Sequence, residues 1–160
     1  MTEGTKSLLF GCHQFFMHPF FVLIAWVKEY RSWPRFWELV CIVLHDVGHI
    51  GKQYLSDPSA KAEHWKLGAQ ICGRLFGQRG FEMVAGHVGK SGFTRSKLFI
   101  PDKRSWLETW DWWMWATYYV EFSPSPVTPP VFKRLVAENL EKDCPKDSHD
   151  IYLETRGELE

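Results

Sequence analysis

The chain has 160 residues, enough for one domain with a sizeable core, and its 19 Lys+Arg against 19 Asp+Glu leave the formal net charge at zero at neutral pH. That balance excludes a global electrostatic attraction to nucleic acid or to an acidic membrane surface. The four cysteines, Cys12, Cys41, Cys72 and Cys144, lie far apart without paired spacing, which argues against a disulfide framework and for a reducing compartment.

Residues 1–7 carry both charges and no small-residue cleavage motif follows, so no signal peptide is read and a cytoplasmic location is expected. The apolar stretch over residues 15–27 contains His18 and Pro19 and is too short to span a bilayer. Pro19 suits a first helical turn, and the nearly all-round apolar run after it predicts a helix ending near Tyr30. Ser32-Trp33-Pro34 is a connector. A second helix is predicted over residues 35–49, with Gly48 and Gly51 marking its end.

Residues 54–60 read as a loop, followed by a helix over 60–76 that Gly77 to Gly80 stops. A short helix is predicted over 81–88, then a glycine-rich basic loop over 89–95. The last long helix is predicted over 98–122, with Trp106, Trp110 and Trp113 recurring at helical spacing as an aromatic core stripe beside Trp112 and Trp115, the alternative for a minority of the five being to line a pocket and stack on a nucleobase. Residues 123–130 are proline-rich, 131–142 amphipathic, and the tail beyond Cys144 polar. No strand pattern competes, so the expected fold class is all-α, a compact helical bundle. The expected organisation is a helical core over 1–122, a linker over 123–130, and a C-terminal helix and polar tail over 131–160.

The chemistry concentrates in His45-Asp46-Val47-Gly48-His49. A His beside an Asp closes the apolar run from Leu39 to Leu44, where a buried, unpaired carboxylate would be very costly without a cation. His18 before it, and His64, His87 and Asp102 after it, are further nitrogen and oxygen donors on separate predicted helices. Ligands gathered in this way build hydrolytic or oxidative metal centres in helical proteins. His13 is the alternative to His18.

This series of a His, a His-Asp pair, two single histidines and a final Asp resembles the HD-domain metalloprotein superfamily, over roughly residues 18–115. His64-Trp65-Lys66-Leu67-Gly68-Ala69-Gln70-Ile71 is similar to the His-Pro-x-x-Gly-Ala-x-Ile helix of dinuclear HD phosphodiesterases. Pro101-Asp102-Lys103 resembles the segment in which Lys follows the last Asp ligand. The resemblance implies that His18, His45, Asp46 and Asp102 hold one metal, and that Asp46, His64 and His87 hold a second. Six oxygen and nitrogen donors with no thiolate suit Fe, Mn, Co, Ni or Mg better than a closed structural zinc site. Two such ions about 3.5–4 Å apart polarise a phosphoryl oxygen and generate a hydroxide nucleophile.

His49 is similar to the second His in the His-Asp-x-Gly-His run of deoxynucleotide triphosphohydrolases, where it is catalytic. This chain lacks their Pro-Phe-x-His continuation, which counts against that subgroup but not against phosphohydrolysis. His49 and Lys52 are therefore expected to assist catalysis. Lys90, Ser91 and Arg95 are expected to bind phosphate through fixed charge and backbone N–H groups, the alternative being an ordinary surface loop. The expected function is metal-dependent hydrolysis of a phosphorylated, nucleotide-like small molecule. The same ligand set, with a basic residue soon after the fourth histidine, also resembles the mixed-valence di-iron HD oxygenases that act on organophosphonates or polyols. A non-catalytic binding module is the third reading; the complete ligand set argues against it.

Overall fold

A computed structural model describes residues 1–53, 63–123, 125–142 and 145–159, and all the regular structure among them is helical. The loop expected over residues 54–60, and Cys144, lie outside the described residues. Helix α1, Glu3–Phe10, opens on Thr2, whose hydroxyl accepts the Thr5 N–H; its few apolar residues give no sequence period, and it was not expected. Helix α2, Met17–Tyr30, ends at Arg31 in the left-handed conformation (φ 53°). Helix α3, Phe36–Leu44, starts where the Glu38 carboxylate takes the Arg35 N–H at 2.7 Å. Helix α4, Trp65–Phe76, and helix α5, Gln78–Ala85, follow one another across Gly77. Next come α6, Phe99–Glu108, and α7, Asp111–Thr117, the latter running into a single π turn, Tyr118–Phe122. Helices α8, Pro129–Leu140, and α9, Ser148–Leu159, complete the chain.

The core is built mainly from α2 to α5. Val22, Trp26, Cys41, Ile42, Ala69 and Val84 are buried together, with Leu98 closing one end. Cys12, Cys41 and Cys72 are buried free thiols. No helix among the described residues is long and apolar enough to cross a membrane.

Several predicted elements are corrected. The helix expected over 81–88 begins at Gln78 and takes in Gly80, and the tail beyond Cys144, expected only as polar, contains α9. The helix expected over 35–49 stops at Leu44 and continues as a 3-10 turn, Val47–His49. The His45 ring nitrogen Nδ1 donates to the Ile42 carbonyl at 2.6 Å, and the His49 N–H reaches back only to Asp46. Gly48 then passes so close to the His64 backbone that a Cβ there would lie 1.6 Å from its carbonyl oxygen. Gly68 lets α4 approach in the same way: a Cβ would lie 2.4 Å from the Leu44 carbonyl oxygen. A methyl at Gly48 must push two backbones apart, so Gly48→Ala is expected to cost about 3 kcal/mol, the upper range for overpacking. Thermal unfolding checks it: the melting temperature should fall by roughly 6–12 °C.

The single helix expected over 98–122 breaks at Thr109 and Trp110, both extended. The Thr109 hydroxyl donates to the Ser105 carbonyl at 2.9 Å, and the distant Lys133 ammonium takes the Thr109 carbonyl at 2.6 Å. Both oxygens are thus engaged by side chains. The break undoes the aromatic stripe: Trp106 faces inward, whereas Trp110 and Trp112 are exposed and stack on one another.

Candidate metal centre

Helix ends converge on one buried spot. His18 comes from the first turn of α2, His45 and Asp46 from the end of α3, and His64 stands just before α4. His87 lies just beyond α5 and Asp102 in the first turn of α6. All six are at most 9% exposed. The terminal carbonyls of a helix lack intrahelical partners, and two of them orient the ligating rings here. His45 Nδ1 donates to Ile42, and His87 Nδ1 to Val84, three residues back in each case. Each ring therefore presents Nε2 to the cluster, the arrangement by which ligating histidines are held in one tautomer.

The Asp46 carboxylate lies between two groups of donors. Its Oδ2 is 3.3 Å from both His18 Nε2 and His45 Nε2, and Asp102 Oδ1 is 3.1 Å from His18 Nε2 and 3.4 Å from His45 Nε2. Its Oδ1 is 3.5 Å from His64 Nε2 and 3.6 Å from His87 Nε2, which are themselves 3.1 Å apart. Donors about 2.0–2.2 Å from one ion lie roughly 3.0–3.6 Å from each other in tetrahedral or octahedral geometry. Both groups match that spacing. The buried histidines and aspartates can therefore hold metal ions.

The electrostatics follow from the crowding. Burial disfavours a charged His45, but the Asp46 and Asp102 carboxylates outweigh it and push its pKa up to about 10. His18 is raised in the same way against the same penalty. Burial also disfavours the charged forms of Asp46 and Asp102. Even so, His45 and His18 hold Asp46 well below the usual carboxylate range, and Lys103, His18 and His45 do so for Asp102.

A cation entering the cluster competes with these protons. The Kd for Mn²⁺ should therefore fall about tenfold per pH unit for each proton displaced from the site between pH 6 and 8, as calorimetry in buffers of different ionisation enthalpy would show. In chelator-treated protein the sign is opposite. His45 is raised above its ordinary 6.5, so its stabilising effect is complete below that pH and fades as the pH climbs through about 10.

The cluster forms one end of a cavity of about 190 Å³. His49 reaches its wall, 1% exposed, stacked on the His64 ring at 4.5 Å with Nε2 3.9 Å from Asp46 Oδ1. Lys90 also lines it. Lys52, Ser91 and Arg95 are not among the lining residues. The Lys52 carbonyl accepts the Gly4 N–H, the Ser91 hydroxyl accepts the Phe93 N–H, and the exposed Arg95 guanidinium donates to the Pro145 carbonyl at 3.1 Å and lies over the Phe99 ring.

Lys103 and Asp147, to which the sequence assigned no role, join the site, as does His13, which was expected only as an alternative to His18. His13 lines the cavity, its Nδ1 2.8 Å from the Ser7 hydroxyl and its ring 4.4 Å from that of His49. Lys103 is 4% exposed, and its ammonium donates to Asp102, to Asp147 and to the His87 carbonyl. Only its position after Asp102 signalled it. Asp147 comes from the segment before α9, which no local pattern tied to the site. The lining is otherwise largely apolar: Met114, Phe122, Val127, Phe132 and Tyr152, with Trp106 packed against the His18 ring at 5.5 Å.

Fold and site together define an all-α protein with a buried His/Asp centre able to hold metal ions. Compared with known proteins, the chain matches no family model, no curated protein and no solved structure.

Proposed function

We propose that this protein is a metal-dependent phosphohydrolase of the HD-domain type, acting on a small phosphate ester with a flat or apolar portion such as a nucleotide. The observation that carries this reading is the Asp46 carboxylate, with one oxygen toward His18 and His45 and the other toward His64 and His87. Divalent ions held by these two groups would supply Lewis-acid polarisation of a phosphoryl oxygen and a water of lowered pKa.

The residues around them do the rest. Asp46 and Asp102 fix the charge of the site, and the Ile42 and Val84 carbonyls hold His45 and His87 in register. His49 stands at the cavity wall beside Asp46 and holds a proton at Nε2 for transfer to or from the reacting group. The aromatic wall offers a flat moiety contact area at little entropic cost. Size narrows the substrate: about 190 Å³ is of the order of a cavity of about 150 Å³ that holds one benzene. The enclosed space therefore takes one ring or one phosphate group of the substrate, and the rest of a nucleotide would extend beyond it.

The test is a phosphate-release screen of metal-loaded protein over mono- and triphosphates and dinucleotides, alongside O₂ uptake by protein loaded with iron. Release from a monophosphate ester is the expected result. O₂ uptake without phosphate release would assign the centre to the oxygenase class instead. His64→Ala and His87→Ala should each lower bound metal by about one equivalent and slow turnover at least about tenfold. Unchanged stoichiometry in both would leave only the group around His18, His45 and Asp102.

A further inference from the structure

Three cations stand around the loop over residues 89–95 and the cavity beside it, and one short C-terminal segment engages all of them. The Lys103 ammonium meets Asp147 Oδ1 at 2.9 Å, the Lys90 ammonium meets Asp150 Oδ2 at 2.8 Å, and the Arg95 guanidinium donates to the Pro145 carbonyl at 3.1 Å. The Gly89 N–H also points at the Asp147 carboxylate, 3.1 Å from Oδ2 and 3.4 Å from Oδ1. Asp147 thus rests between a backbone donor and a buried ammonium. Such a pair forms a cradle for anionic oxygen. Lys103 also donates to Asp102, so the cradle adjoins the metal-ligand cluster, and both Asp147 and Asp150 line the same cavity.

We propose that the Gly89 N–H, Lys90 and Lys103 form an anion subsite for the phosphate of the substrate, and that Asp147 and Asp150 occupy it from within the chain until phosphate displaces them. This rests on the phosphate-ester reading of the adjoining centre. A carboxylate is a fair stand-in: it neutralises Lys103, whose buried charge would otherwise be costly. A phosphate carries up to the charge of both carboxylates on one centre with three acceptor oxygens, so a single group can satisfy the Gly89 N–H, Lys103 and Lys90 together. The outer latch is easily opened, because the Lys90 side chain is 68% exposed and an ion pair so exposed contributes little. Binding is then weakened by the share of molecules in which the segment holds the subsite.

The experiment uses metal-loaded protein and inorganic phosphate, with chloride at equal ionic strength as the control. Phosphate should bind about tenfold more tightly to the Asp147→Asn/Asp150→Asn variant than to the wild type, because its internal competitor is gone. In the wild type, phosphate should accelerate amide hydrogen exchange across residues 148–159 as α9 is released. Equal or weaker phosphate binding by a folded double variant overturns the proposal. If that variant does not fold, the wild-type arm decides, and exchange that is unchanged or slowed by phosphate is the contrary result. The two readings fail separately. Protein that binds phosphate in this competitive way but releases none from any ester keeps the subsite and loses the hydrolase.

Discussion

Asp46→Ala should abolish metal binding at both groups together, a larger effect than replacing any single histidine. The carboxylate is within 3.6 Å of four imidazole nitrogens, from His18 and His45 on one oxygen and from His64 and His87 on the other. Its removal therefore takes a donor oxygen from each group and the one negative charge the two groups share. Loss of an outer partner that only orients a ligand already costs about 10–100-fold in metal affinity. Loss of the shared ligand should exceed that upper figure, and any turnover should vanish with it. Equilibrium dialysis against Mn²⁺, with His64→Ala as the comparison, reads the difference: near zero equivalents for the first variant and about one for the second. Equal losses in the two would mean that Asp46 does not join the groups.

Lys103→Met should produce the largest loss of stability. Its ammonium is 4% exposed and stands between two carboxylates, 2.8 Å from Asp102 and 2.9 Å from Asp147. Methionine keeps most of the volume but leaves Asp147 to the Gly89 N–H and Asp102 to His18 and His45, and breaking a buried pair in this way costs about 3–5 kcal/mol. In a chain of this size that lowers the melting temperature by roughly 6–20 °C.

The pH dependence identifies the cause. Burial alone would raise the Asp147 pKa, but Lys103 outweighs it and holds the carboxyl below its ordinary range, as it helps to do for Asp102. Groups with lowered pKa stabilise the fold above about pH 4 and lose that effect as the pH falls through their folded values. Burial also works against the Lys103 charge, yet Asp102 and Asp147 raise its pKa, so its contribution is lost only at strongly alkaline pH. Chelator-treated wild type should therefore lose stability steeply below pH 4, and Lys103→Met should lose less there because its carboxyls begin closer to protonation. A variant as stable as wild type at neutral pH would show that the ion pair contributes no net stability.

Four residues of the centre carry a local signal, whereas His18 and His87 were reached through the resemblance to the HD-domain series. His45 and Asp46 close an apolar run, where charge is anomalous. His64 precedes a helix whose Gly68 permits the close approach to α3, and Asp102 sits before a lysine. The all-α class followed from the helical spacing of apolar residues and the absence of alternation. What was not legible depends on contacts between distant parts of the chain. The break after Glu108 is made partly by Lys133 taking the Thr109 carbonyl, and local periodicity is silent about that. That a minority of the tryptophans lines the pocket was legible, but that Trp106 is one of them depends on the turn of the chain before Trp110. His13 has no pattern around it, and its place beside His49 comes from α1 packing on the turn at Val47–His49. The capture of Lys90 and Lys103 by Asp150 and Asp147 joins residues that only the folded chain brings together.

If the Asp46 carboxylate joins the two groups of histidines into one metal centre, protein reconstituted with Mn²⁺ and freed of loosely bound ions should hold two ions per chain by elemental analysis. Electron paramagnetic resonance of the same sample should then give a spin-coupled signal, and Asp46→Ala should be metal-free. Reconstituted wild-type protein that retains no metal, or two ions that show no coupling, would contradict that joining role of Asp46.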